Sequence, residues 1–239
     1  MSGCQLNISH KFKSKNYDSR EKDINFIIIH YTETKTLSHA VDLLTCRNRK
    51  VSCHYLIDID GRVYNLVDEK YRAWHAGDSR WMKSSDINSR SIGIEIVNEG
   101  EKKKSPFKKE QIRRLVTLVK YLKSKYKIFD SKILGHSDIA PLRKIDPGIQ
   151  FPWQILHENS LGLWAKDRND NSRLIDRDYK IFIKNLRKIG YSYLKNFNKQ
   201  DNKLIIDAFH RHHLPKRLNK PLNRSSLNKS LDLLKIKNY

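Results

Sequence analysis

Residues 24–32, INFIIIHYT, set four apolar side chains in a row, Phe26 to Ile29, directly before His30. A run this short, with no polar alternation, reads as a strand buried on both faces and capped by a polar residue at its exit. SIGIEIVN (91–98) reads the same way, except that Glu95 interrupts it. Two such strands demand a sheet covered by helices on both sides. The helices are available. Leu37, Val41 and Leu44 recur at helical spacing behind Ser38, a suitable N-cap, and 107–125 carries Ile112, Leu115, Val116, Val119 and Leu122 on one face. CHYLIDIDGRVYNLV reads as a hairpin turning at Asp60-Gly61, and SKIL (131–134) as a short strand. The expected fold class is α/β, a mixed central β-sheet flanked by helices.

From about Arg168 a polar connector leads into three further helical patterns, 178–189, 201–213 and 225–236. The pattern predicts two domains, 1–176 and a small all-α unit at 177–239. The second is strongly basic, with 16 Lys and Arg against 4 Asp and Glu, within a chain of net charge +22. Such a surface attracts polyanions. No zinc-finger spacing, RNP-type aromatic motif or glycine-rich phosphate loop accompanies the charge, so a specific nucleic-acid partner is not expected. No apolar run is long enough for a membrane-spanning helix. The first residues lack the apolar stretch of a secretory signal, although Cys4 behind Ser-Gly has the look of a lipoprotein signal's end. Three cysteines, Cys4, Cys46 and Cys53, do not make a disulfide framework.

The chemistry concentrates in GHSDIAPLRKIDPG (135–148), whose prolines and glycines predict a loop without regular structure. His136 and Asp146 lie in it, and His30 ends a distant strand. Two imidazoles and a carboxylate suit Zn²⁺, which takes N and O donors and keeps a fourth position for water in catalytic sites. A single strand-end histidine is more often structural than a ligand, and no spacing rule joins His30 to His136. Glu95 has two readings also: a structural ion pair, or a partly desolvated carboxylate whose raised pKa suits it to take a proton from water. Lys144 is either solvated loop charge or, beside a metal, a stabiliser of an oxyanion.

Together, FIIIHYT, SCHYLIDIDGRVYNLV, AWHAG, SIGIEIVN and GHSDIAPLRKIDPG resemble, in order and spacing, the zinc-dependent N-acetylmuramoyl-L-alanine amidases of the AmpD/AmiD type, relatives of the peptidoglycan-recognition proteins. The resemblance covers roughly residues 20–160. It implies that His30, His136 and Asp146 are ligands of one zinc ion, that Glu95 is the general base, and that Lys144 stabilises the tetrahedral intermediate. It implies that His54 and the Trp74-His75-Ala76 segment line a substrate groove, with Trp74 the most suited of them to packing. Arg143 resembles a position that meets a substrate carboxylate or carbonyl, and Asp138 is expected to stabilise its loop. The implied reaction is hydrolysis of the amide between the lactyl group of (1,6-anhydro-)N-acetylmuramic acid and L-alanine. The implied partners are peptidoglycan or muropeptide fragments. The alternative is a muropeptide-recognition protein without catalysis. Residues 204–234 resemble the three-helix peptidoglycan-binding module that follows longer amidases of this type, without its usual glycine; His210, His212 and His213 there are expected to be helix surface and core. A wall-binding module favours the bacterial envelope or periplasm, whereas the missing signal stretch favours the cytoplasm.

Overall fold

Alternation along the strands decides which residues meet. The computed structural model describes residues 6–194 and 199–237. Its strands are β1 (Ile8–Ser9), β2 (Tyr17–Ser19), β3 (Phe26–Tyr31), β4 (Tyr55–Ile57), β5 (Val63–Asn65), β6 (Tyr71–Ala73), β7 (Arg80–Trp81), β8 (Ser84–Ser85), β9 (Ser91–Ile96) and β10 (Ile133–Gly135). Its helices are α1 (Leu37–Thr45), α2 (Ile87–Arg90), α3 (Lys109–Tyr126), α4 (His136–Ile139), α5 (Trp153–Glu158), α6 (Asp176–Ile189), α7 (Lys199–His213) and α8 (Arg224–Lys237). Six strands form one sheet in the order β1-β5-β4-β9-β3-β10. Its pairs are parallel except β4 with β5, so the sheet is mixed.

The two apolar runs are the neighbouring strands β3 and β9, in a register that sets Ile28 against Gly93 and His30 against Glu95. One face carries Ile27, Ile29, Ile92, Ile94 and Ile96, closed by Ile112, Leu115, Leu118, Val119 and Leu122 of α3. Each of those α3 side chains contributes roughly 1.5–3 kcal/mol by leaving water. The opposite face is divided. Phe26, Ile28 and Leu134 pack with Phe182, Leu186, Phe209 and Leu233 of the C-terminal helices. Leu56 and Tyr64 pack with Ala40 and Leu44 of α1. Between these two apolar blocks the same face presents His30, Gly93 and Glu95. The helices expected to form a separate unit from 177 thus share one apolar cluster with the sheet.

Three local expectations are corrected. The N-cap of α1 is Thr36, not Ser38: Thr36 has the extended backbone a cap requires and its side chain accepts from the His39 amide, while Ser38 is already inside the helix. The hairpin turns through three residues rather than two. The Gly61 amide donates to the Asp58 carbonyl at 2.9 Å, and Gly61 takes the left-handed φ of +83° that closes the loop. Within GHSDIAPLRKIDPG the first residues form a helical turn, α4, because the Asp138 carboxylate accepts from the Gly135 amide and closes it before Pro141. Among the described residues no helix is long and apolar enough to cross a membrane. Cys46 and Cys53 are free thiols, and Cys4 lies outside the described residues.

Candidate metal centre

His30 leaves the end of β3, His136 opens α4 after the neighbouring β10, and Asp146 returns ten residues later against both. His30 Nδ1 lies 3.0 Å from His136 Nδ1 and 2.9 Å from Asp146 Oδ2, and His136 Nδ1 lies 3.1 Å from the same oxygen. All three side chains are buried. The parallel pairing of β10 with β3 brings the two histidines level, and the Ser137 amide donates to the Asp146 carbonyl at 2.8 Å, drawing the loop back.

The surrounding bonds assign the protons. Ser91 donates its hydroxyl to the Ile87 carbonyl at 2.6 Å, so its oxygen can only accept, and it takes the Nε2–H of His75 at 3.1 Å. The remaining nitrogen of neutral His75, Nδ1, then accepts the Nε2–H of His30 at 3.0 Å. His136 Nε2 donates to the Ala76 carbonyl at 3.1 Å. With neutral rings, both Nδ1 atoms are therefore bare lone pairs aimed at a carboxylate oxygen. Burial, followed by the nearby His136, lowers the His30 pKa to about 4, which keeps that ring neutral at pH 7. Three acceptors with no proton between them repel one another unless a cation sits among them. A tetrahedral zinc ion with bonds of about 2.0–2.1 Å holds its donors about 3.3 Å apart, within a few tenths of an ångström of this triangle. The donor set fits a metal ion.

The cluster opens on a cavity of about 490 Å³ whose wall includes Trp74, Glu95, Arg143 and Lys144. Glu95 is partly open to this cavity, but its Oε2 is enclosed and has no hydrogen-bond partner among the described residues. Burial, then the neighbouring Asp146, pushes its carboxyl well above the ordinary range, against the opposing effect of Lys144. The Lys144 side chain lines the same cavity, with no ion-pair partner among the described residues.

The remaining expected residues divide. Trp74 is only half-buried and donates its indole N–H to Asp18 Oδ2 at 2.7 Å, so it is cavity wall rather than core packing. His75 lines the cavity and also holds His30, as described. His54 does not reach the cavity: it is fully buried under β9, where its Nδ1 accepts from the Gly93 amide at 2.9 Å. Ala76 is buried as well, and its carbonyl accepts from His136. Arg143 stands at the cavity mouth, but its guanidinium donates to the Ala76 and Asp78 carbonyls and so ties the facing loop. Asp138 accepts from Gly135, from the Tyr191 hydroxyl and, at Oδ2, meets His212. His210, His212 and His213 are all buried.

Sequence reasoning passed over Ser91 and Asn88. Asn88 Oδ1 accepts from the His75 and Ala76 amides at 3.0 and 2.7 Å and clamps their segment. Ser91 was findable: it shares a face with Gly93 and Glu95 by the strand period of two. Gly93 itself is needed for close approach, since a Cβ there would lie 2.3 Å from the His75 ring.

The family model for N-acetylmuramoyl-L-alanine amidases matches residues 20–149, which include every residue of the cluster. The chain belongs to this family. The N-acetylmuramoyl-L-alanine amidase AmiD of Escherichia coli is 34% identical over 211 residues, covering 80% of this chain and 75% of that protein. The 1,6-anhydro-N-acetylmuramyl-L-alanine amidase AmpD of Haemophilus influenzae is 41% identical over 106 residues, 44% of this chain and 56% of that protein. Among solved structures, the E. coli AmiD complex with anhydro-N-acetylmuramic acid-L-Ala-D-γ-Glu-L-Lys superposes with a TM-score of 0.82 at 29% identity, over 92% of each chain. AmpDh3 of Pseudomonas aeruginosa bound to anhydromuramic pentapeptide gives 0.77 at 26% identity, over 99% of each. The likeness to these two therefore extends past residue 149 into the C-terminal helices.

Proposed function

We propose that this amidase is zinc-dependent and hydrolyses the amide between the lactyl group of (1,6-anhydro-)N-acetylmuramic acid and the L-alanine of the stem peptide, in peptidoglycan turnover and recycling. The observation that carries the reading is the close triangle of His30 Nδ1, His136 Nδ1 and Asp146 Oδ2 beside the enclosed, unpartnered Oε2 of Glu95. His30, His136 and Asp146 would hold the ion. When bound, zinc supplies Lewis acidity at the amide carbonyl and lowers the pKa of water toward neutrality.

The chain's own groups do the rest. Glu95, with its raised proton affinity, accepts the proton of the attacking water and returns it to the departing α-amine of L-alanine. The Lys144 ammonium faces the charge that builds on the carbonyl oxygen. Trp74 and Val51 offer apolar wall to the sugar, while Lys102, Arg143 and Lys144 surround the cavity with positive charge suited to the carboxylates of a stem peptide. We assign residues 177–239 a contact with the anionic wall, supported by the exposed Arg177, Lys180, Lys184 and Lys188 on α6, and place the activity at the cell envelope. Fractionation of expressing cells checks that placement.

The test is mass spectrometry of products from anhydro-muropeptide and from intact sacculi, incubated in parallel with zinc-loaded protein. Release of free stem peptide that Glu95→Ala abolishes supports the reading. Binding of muropeptide with no cleavage by the parent protein overturns it in favour of recognition alone.

A further inference from the structure

The two ligand-bearing segments after β10 are each held from outside by α7, through adjacent residues. Arg211 Nε donates to both carboxylate oxygens of Glu101, at 3.1 and 2.9 Å, and the side chains of this pair are only 13% and 16% exposed. Glu101 Oε2 in turn accepts from the Ile149 amide at 2.8 Å, three residues after Asp146. The next residue, His212, places Nδ1 2.7 Å from Asp138 Oδ2, the oxygen that also accepts from the Gly135 amide and closes the turn that begins at His136. Its ring is pinned by stacking on Trp153, with centroids 3.7 Å apart. One route ends beside Asp146 and the other beside His136, and both start from one turn of one helix.

We propose that Arg211 and His212 are positioning residues of the metal centre: Arg211, through Glu101, sets the segment carrying Asp146, and His212, through Asp138, sets the turn carrying His136. This rests on the metal reading given above. It gives the C-terminal helices a part in the reaction independent of any wall contact. A rigid helix that grips both segments fixes the separation of the two donors, which loops alone would leave to chance.

The experiment measures Zn²⁺ affinity by chelator competition and the visible absorption spectrum of the Co²⁺-substituted full chain. Parent protein is compared with Arg211→Gln, Glu101→Gln, the Arg211→Gln/Glu101→Gln double variant and His212→Phe. Outer partners of metal ligands commonly change affinity about 10–100-fold, and a loss of that size is expected here in each single variant, with an altered Co²⁺ spectrum. The double variant should lose no more than the worse single one, because both act on one link. Lys229→Met is the control: it breaks the pair of Lys229 on α8 with Asp167, which takes part in neither route. It should lower the melting temperature with affinity and spectrum unchanged. Folded variants, Glu101→Gln included, with parental affinity and spectrum would overturn the proposal, as would an equal loss in Lys229→Met at matched stability. A parent protein that binds neither ion would instead sink the metal reading itself.

Discussion

Adding one methyl group at Gly93 should damage both the fold and the metal centre. The new Cβ would lie 2.3, 2.5 and 2.6 Å from three ring atoms of His75, where uncrowded carbon contacts need about 3.5–4.0 Å. The ring must retreat by about 1 Å. It is buried and bonded at both nitrogens, 3.1 Å from Ser91 Oγ and 3.0 Å from His30 Nε2, so that retreat stretches those bonds past a useful length. Overpacking costs about 1–3 kcal/mol, and a stranded buried polar group about 1–3 more. Gly93→Ala should therefore lose about 2–6 kcal/mol in urea unfolding. Zinc affinity should fall about 10–100-fold, because His30 loses the partner that fixes its tautomer. In a His75→Ala background the three ring atoms that the methyl strikes are gone, and the same substitution should cost less than about 1 kcal/mol. Parental stability and affinity in Gly93→Ala, or equal costs in the two backgrounds, would refute the reasoning.

Three further outcomes are expected. Glu95→Gln should cut amide hydrolysis by at least about 10²-fold while raising the unfolding free energy at pH 7, since it replaces a buried carboxylate oxygen that has no partner; hydrolysis at the parental rate would exclude Glu95 as base. Zinc should raise the melting temperature reversibly, with about 2.7 kcal/mol gained at a hundredfold excess over Kd, and His136→Ala should abolish the effect. Burial lowers His54 to about 3 and His210 to about 4. Below pH 6.5 the unfolded chain then takes up protons that the folded chain refuses, so stability is lost as pH falls from 6.5 toward 4. In metal-free protein these two rings together should account for a loss of roughly 4 kcal/mol between pH 7 and pH 5, and a urea midpoint that does not fall over that range would contradict the burial argument.

The sheet and its long helices were legible because each is written as a period: unbroken runs for β3 and β9, helical spacing for α3. The five residues His30, Glu95, His136, Lys144 and Asp146 were legible as a set only through their joint pattern, since residues 106 and 116 positions apart leave no local trace of meeting. What remained hidden depended on third parties. His54 and Trp74 exchanged expected roles because Gly93 and Asp18, not their own types, decide which is buried and which lines the cavity. Arg143 read as a residue for a substrate carboxylate or carbonyl because nothing local reveals that the Ala76 and Asp78 carbonyls face it. The apolar stripes of the C-terminal helices do not tell what they pack on, because the surface they cover, Phe26, Ile28 and Leu134, lies far earlier in the chain.

The distance in sequence between His30 and the other two donors also bears on how the molecule comes to hold an ion. Joining positions 106 residues apart in a flexible chain costs about 4 kcal/mol in closure entropy alone. During synthesis an early-arriving ion meets isolated histidines, and three donors converge only after β10 has docked beside β3. An ion held by these donors would therefore bind after folding, unlike the ion of a small zinc finger, whose closely spaced ligands let it drive folding. The apolar clusters on both faces of the sheet would then carry folding without the ion, and chelation should silence the protein while leaving it folded and ready to be loaded again.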